Sequence, residues 1–313
     1  ATQFAFAGAS DQLMGIDARC VQPGFQSSLV AARACDEFGH CGASVPAQTV
    51  AYVGTQSNTL NPFGSLPNAI ERTVLSDPNG RVQIIQRPGQ IVTDIAVDES
   101  RGKLYWGAMK QGDYAQPDQI VRANLDGSGM AVLVSGLTVY APEALQIAVD
   151  PVGNKLYWTK GDELWWANLD GSQPAMVYRA PDDPRFVGGN RQYQQLGDVA
   201  IDQTNNLLYV SERRNRFDGG PGIRIFNHSL IVRTQLNGTS PEFVAGAGAG
   251  CTYANYHNNM GAGLDPDLCV APNGGIDVEA LTVSDGTLYW TAYAEGFGSS
   301  AVYGLPFNGS QFT

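Results

Sequence analysis

Asp94, Gln146 and Asp198 stand 52 residues apart, and Glu279 lies one place off the matching position further along the chain. Oxygen-bearing side chains at such an interval can converge on an axis, where carboxylate and amide oxygens suit Ca2+. A polar, water-filled channel is the plainer reading of the same four residues. A second set carries different chemistry. Arg213, Arg214, Arg216 and Arg224 crowd one short segment of a chain whose net charge is −11. Guanidinium groups hold carboxylate, sulfate or phosphate oxygens in bidentate pairs. Pairing with the nearby acids Glu212 and Asp218 would satisfy them without any ligand. Catalytic signatures are otherwise lacking: the sequence has no G-x-S-x-G elbow, no H-E-x-x-H, no P-loop and no G-x-G-x-x-G ahead of a helix. His40, His228 and His257 fall in separate insertions, which is poor material for a Ser-His-Asp arrangement. Asp77-Pro78-Asn79-Gly80 lacks the later Glu of a calcium loop and reads as a turn.

The five cysteines, Cys20, Cys35, Cys41, Cys251 and Cys269, form two clusters with no zinc-like C-x2-4-C pair. Disulfides stapling long insertions are the better reading: Cys251 with Cys269, and one pair among Cys20, Cys35 and Cys41. That implies an oxidising compartment. The fifth cysteine is left free or intermolecular, which would suit assembly with a second copy or another chain. Three N-x-S/T triplets, at Asn227, Asn237 and Asn308, are candidate glycosylation sites and agree with a secreted protein.

The elements that must position these residues repeat. Ile95-Ala96-Val97-Asp98 precedes Leu104-Tyr105-Trp106. Ile147-Ala148-Val149-Asp150 precedes Leu156-Tyr157-Trp158, and Val199-Ala200-Ile201-Asp202 precedes Leu208-Tyr209-Val210. A fixed period means one supersecondary unit that cannot bury its apolar face alone. Each unit reads as four strands. The first is small and apolar and ends in an Asp that caps a turn, as at Asp17, Asp98, Asp150 and Asp202. The second carries the aromatics. The third alternates and ends on Asp-Gly or Asn-Gly, at 126–127, 170–171 and 237–238. The fourth is short. Such units packed radially make an all-β propeller of four-stranded antiparallel blades, which hides sheet edges by closing on itself.

Five units are detected, at about 11–88, 92–136, 144–180, 196–245 and 277–313, within one domain over 1–313, and a sixth blade remains open. In the eroded first unit Leu13–Asp17 is the expected inner strand. The last unit lacks an outer strand, which Gln3–Ala7 would supply, so that the two termini close the ring. Composition agrees: 43% hydrophobic, 16% charged and 37 glycines fit a β protein with many tight turns. The acidic balance excludes a nucleic-acid binder that must displace phosphate counterions. No apolar run reaches the roughly 20 residues that span a bilayer.

Leu-Tyr-Trp-Thr at 156–159 and 288–291, after Ile-Ala-Val-Asp and before Leu-Asp-Gly, resembles the YWTD repeat of low-density-lipoprotein-receptor class B propellers. The final Asp of that motif is missing throughout: Gly107 with Ala108, Lys160, Glu212 and Ala292 stand after the aromatic strand. The family is usually six-bladed and flanked by EGF-like modules, which are not found here. Its pH-dependent histidines have no counterpart, since this chain's three histidines all lie in insertions. The axial acids are also loosely similar to lactonase and strictosidine-synthase-like propellers, some of which hold an axial metal.

Insertions at 107–119, 211–230 and 246–276 should share one face, with 18–50 on the other. Long loops on a rigid ring are where binding function concentrates. The expectation is a secreted, extracellular, non-enzymatic interaction module that engages a protein or glycan through its loop-rich face. It needs no cofactor; the alternative that the axial residues allow is Ca2+ on the axis. The rivals are a metal-dependent hydrolase or lactonase using the channel acids, and a carbohydrate-binding lectin.

Overall fold

The computed structural model describes residues 3–7, 50–55, 69–74, 77–86, 90–110, 118–137, 145–180, 194–217, 225–245, 276–284, 286–294, 299–308 and 311–312. Every regular element among them is a β-strand, and the strands form five four-stranded sheets. The first contains β1 (Gln3–Ala7), β2 (Val50–Thr55), β3 (Ala69–Val74) and β4 (Asp77–Gln86). The second contains β5 (Gln90–Asp98), β6 (Lys103–Lys110), β7 (Asp118–Asn124) and β8 (Ala131–Leu137). The third contains β9 (Ile147–Asp150), β10 (Lys155–Lys160), β11 (Glu163–Asn168) and β12 (Ala175–Arg179). The fourth runs through β13 (Gln194–Asp202), β14 (Leu207–Phe217), β15 (Ile225–Gln235) and β16 (Glu242–Ala245). The fifth runs through β17 (Ile276–Ser284), β18 (Thr287–Ala294), β19 (Ser299–Asn308) and β20 (Gln311–Phe312). Within each sheet the strands lie in chain order, antiparallel throughout except at β1.

Four apolar junctions join the sheets in sequence, and the aromatic strand faces both ways to make them. Trp106 packs toward the first sheet among Tyr52, Ile70 and Ile85, whereas its neighbour Tyr105 packs toward the third among Leu145, Ile147 and Trp158. Trp158 then faces the second sheet and Tyr157 the fourth, and Tyr209 faces the fifth beside Trp290. Strand alternation produces this: adjacent side chains point to opposite faces, so each Tyr-Trp pair serves two junctions. Tyr105, Trp106, Trp158 and Tyr209 are almost wholly buried.

The outer turns fix how close the sheets come. Gly127, Gly171 and Gly238 all have φ between 81° and 85°, which glycine adopts without strain. A Cβ there would collide with a backbone carbonyl of the preceding sheet's outer strand, at Ile84, Leu133 and Val177 respectively. The repeated Asp-Gly or Asn-Gly is therefore an inter-sheet contact as well as a turn.

Several expectations are corrected. Gln3–Ala7 does not complete the last sheet. It occupies the inner position of the first, parallel to β2 with Gln3 opposite Val50. A parallel pair needs a long crossover, and residues 8–49 supply the length. The outer strand of the fifth sheet is the short β20, with Phe312 opposite Phe307. Leu13–Asp17 lies outside the described residues. Asn79-Gly80 is no turn but part of β4, which pairs with β3 from Val74 opposite Asp77. Much of the 211–230 insertion is strand: β14 and β15 continue their ladder out to Phe217 opposite Ile225. At the 107–119 insertion, Gly107–Lys110 belong to β6 and Asp118–Gln119 to β7.

Candidate functional site

The inner strands β5, β9, β13 and β17 line a cavity of about 560 Å³. Asp94, Gln146 and Asp198 all border it. A β-bulge aims the two carboxylates. In β5 the pairing slips between Val92 and Ile95, in β13 between Leu196 and Val199, and in β17 between Val278 and Ala280. The extra residue re-aims the side chain beside it. Asp94 Oδ1 accepts from its own neighbour, Ile95 N, at 2.7 Å, and Oδ2 accepts from Ile147 N of the next sheet at 2.8 Å. Asp198 repeats the arrangement with Val199 N at 2.8 Å and Leu281 N at 2.6 Å. Each carboxylate therefore spans two inner strands and satisfies backbone donors that have no further strand to pair with.

In the third sheet the inner strand has no such bulge, and a hydroxyl bonds within the sheet instead. Gln146 N donates to Thr159 Oγ1 at 3.0 Å, and Thr159 N donates to Gln146 O at 3.0 Å. The side chain of Glu279 lies outside the described residues. Among the described residues no group of three or more His, Cys, Asp or Glu side chains could hold a metal ion.

The aspartates at the far ends of the inner strands cap turns. Asp98 Oδ1 accepts from Ser100 Oγ at 2.6 Å and Arg101 N at 3.1 Å, while Arg101 Nη1 reaches Oδ2 at 2.9 Å. Burial alone would raise this carboxyl, but the bonds from Ser100 and Arg101 together hold it below the ordinary carboxylate value. Asp150 accepts from Gly153 N, and Asp202 from Thr204 N and Asn205 N. These bonds also cross between sheets: Arg101 Nη1 donates to Pro151 O at 2.9 Å and Gln203 Nε2 to Asp150 Oδ1 at 3.2 Å.

One set escaped the sequence reading. Register places Tyr52 opposite Arg72, Tyr105 opposite Arg122 and Tyr209 opposite Arg233. Burial raises the hydroxyl pKa in each pair, to about 12 for Tyr209, with the arginine pulling the other way. Arg122 Nη1 goes on to Leu169 O of the third sheet at 3.0 Å, and Arg233 Nε donates to Glu242 at 2.7 Å. A signal was present: Ile-Val-Arg occurs at both 120–122 and 231–233. In the third sheet Trp166 faces Tyr157 instead, under the Lys155 ammonium 3.2 Å from the ring centre. Another buried pair, Tyr178 donating to Glu212, ties β12 to the base of the β14–β15 hairpin.

Arg213, Arg214 and Arg216 lie on β14, opposite Ser229, His228 and Phe226 of β15. Gln194 and Gln195 pair with Arg214 and Arg213 on the other side, so the ladder to β13 stops there. Arg224, all five cysteines, His40 and His257 lie outside the described residues. Asn237 is an exposed turn residue, while Asn227 and Asn308 belong to β15 and β19.

No protein-family model matches the chain. Over 138 residues, 44% of this chain, it is 29% identical to low-density lipoprotein receptor-related protein 1 of Pyricularia oryzae (strain 70-15), and the match spans 44% of that protein's length. Similar solved structures include a nidogen/laminin complex, with TM-score 0.44 and 14% identity over 76% of this chain and 90% of that one. An exo-beta-1,3-galactanase from Phanerochaete chrysosporium gives TM-score 0.45 and 9% identity over 90% and 64% respectively. Oligogalacturonate lyase in complex with manganese gives TM-score 0.41 and 12% identity over 90% and 83%.

Proposed function

We propose that this chain is a YWTD-type β-propeller acting as a secreted, non-enzymatic binding module, which engages an extracellular protein or glycan through the face bearing the β14–β15 hairpin and the insertion at 246–276. One observation carries the reading. The recurring aspartates of the frame bond within it: Asp94 and Asp198 bridge inner strands, and Asp98, Asp150 and Asp202 cap turns. Chemistry free to vary is thereby left to the elaborations, where Arg213, Arg214, Arg216 and Arg224 gather positive charge on an acidic chain. The partial likeness to a receptor-related protein supports the same class. In this reading Cys251–Cys269 and a pair among Cys20, Cys35 and Cys41 staple the insertions.

The rival, a Ca2+-dependent hydrolase or lactonase, draws on the position of Asp94, Gln146 and Asp198 around the cavity. One experiment separates the two. The secreted chain is probed against arrays of glycans and extracellular proteins beside a variant with the four arginines changed to Ser. A bound partner lost at least tenfold by that variant, at unchanged melting temperature, supports the binding module. Ca2+-dependent ester or lactone turnover abolished by Asp94→Ala with Asp198→Ala, and no array partner, overturns it. Glycan signals that survive the arginine changes but vanish when exposed loop aromatics are replaced point to a lectin.

A further inference from the structure

The turn between β15 and β16 differs from its counterparts at its first and third residues. In the second and third sheets it reads Asp126-Gly127-Ser128 and Asp170-Gly171-Ser172, and in the fourth Asn237-Gly238-Thr239. The geometry is otherwise the same. Asp126 Oδ1 accepts from Ser128 N at 2.9 Å and from Ser128 Oγ at 2.6 Å, and Asp170 Oδ1 accepts from Ser172 N at 2.9 Å. Asn237 Oδ1 accepts from Thr239 N at 3.1 Å and from Thr239 Oγ1 at 2.7 Å. The change from carboxylate to amide, with Thr in place of Ser, makes this Asx turn an N-x-T acceptor while keeping its shape.

We propose that Asn237 is N-glycosylated, in preference to Asn227 and Asn308. Asn237 and Thr239 are both exposed. With Oδ1 engaged by both the amide and the hydroxyl of Thr239, Nδ2 is the end of the side chain left for reaction. The other two asparagines occupy ladder positions, Asn227 opposite Asn215 and Asn308 opposite Gln311. In the transfer, Nδ2 forms a bond to C1 of an oligosaccharide carried on a polyprenyl diphosphate. The C1–O bond breaks, the polyprenyl diphosphate departs with the electron pair, and the amide proton passes to a carboxylate base of the transferase. The proposal rests on the secretory reading above, since the donor and the transferase belong to that route.

The placement has a consequence for binding. Leu236 N donates to Asn206 O at 3.2 Å, as Leu125 N does to Gly102 O and Leu169 N to Asn154 O. The β15–β16 turn thus lies at the end of the sheet where β13 meets β14. β14 ends and β15 begins at the opposite end, toward which Arg213, Arg214 and Arg216 lie along β14. The glycan covers one face and leaves the other to the partner.

The test expresses the full chain behind a secretion signal in a eukaryotic host and maps its peptides by mass spectrometry after enzymatic glycan release in isotopically heavy water. Asn237 is expected to be converted to heavy-labelled Asp. Thr239→Ala brings occupancy to background. Asn237→Asp, which copies Asp170, removes the glycan with a melting temperature within a few degrees of the enzymatically deglycosylated chain, and leaves partner binding unchanged. Secreted chain with Asn237 bare, or a glycan mass unaltered by Asn237→Asp, overturns the site and spares the secretory reading. A chain glycosylated at Asn237 but retained in the cell supports the site and counts against an extracellular role.

Discussion

Asp94 of one sheet accepts the Ile147 amide of the next at 2.8 Å while its other oxygen holds the amide of Ile95. The carboxylate is a strut between inner strands, and Asp198 stands in the same relation to Leu281. Asp94 and Asp198, two of the axial acids, thus bond to backbone amides of the frame.

Asp94→Ala leaves the Ile147 amide without that acceptor, and a lost partner of a charged hydrogen bond costs about 1–3 kcal/mol. The melting temperature should fall by several degrees. Asp94→Asn should fall nearly as far, because an amide NH2 now meets one of the two backbone donors. Asp198→Ala acts at a different junction, so the double variant should show the sum of the two losses. Denaturant unfolding checks this, and an Asp94→Ala chain as stable as wild type would refute the strut.

Two glycines separate strain from collision. Gly136 has φ +76° and open space where a Cβ would go, so Gly136→Ala should cost only the left-handed penalty of about 1 kcal/mol. Gly171 has φ +85° and the Leu133 carbonyl in the way, so Gly171→Ala must also push two sheets apart. The second variant should melt clearly below the first. Equal melting temperatures would mean that the turn does not set the spacing between sheets.

Tyr178→Phe removes the hydroxyl that donates to the buried Glu212. Tyr157→Phe removes only a long bond of 3.5 Å to Leu236 O. Chemical denaturation should show a loss of about 1–3 kcal/mol for the first and well under 1 kcal/mol for the second. The reverse order would contradict the assigned partners.

Asp98 carries a pH dependence of definite sign. Its folded pKa lies below the unfolded value of about 3.9, so the folded state binds the proton less readily. The stability it contributes is fully present above about pH 4 and is lost as pH falls through the folded value. Melting curves between about pH 2 and 6 should show Asp98→Asn declining less steeply on the acid side than wild type. Parallel curves would contradict the shift.

What was legible in the sequence follows from side-chain period. The alternating aromatic strands, the Asp-capped turns at 98, 150 and 202, and the Asp-Gly reversals are local patterns, and they lie where expected. The inner position of Gln3–Ala7 was not legible, because a parallel partner some fifty residues away leaves no mark on local pattern. The same holds for the bulges at Asp94 and Asp198. One extra residue in a ladder brings a carboxylate within reach of backbone amides on two inner strands, and hydropathy does not encode it. The pairing of Tyr105 with Arg122 and of Tyr209 with Arg233 was readable once register is known, since both arginines follow Ile-Val.

Amide hydrogen exchange resolved residue by residue, in wild type, Asp94→Ala and Asp198→Ala, addresses the frame most directly. The account predicts slow exchange at both Ile147 and Leu281 in wild type, faster exchange at Ile147 only in the first variant, and faster exchange at Leu281 only in the second. Fast exchange of both amides in wild type, or rates indifferent to either substitution, would contradict it.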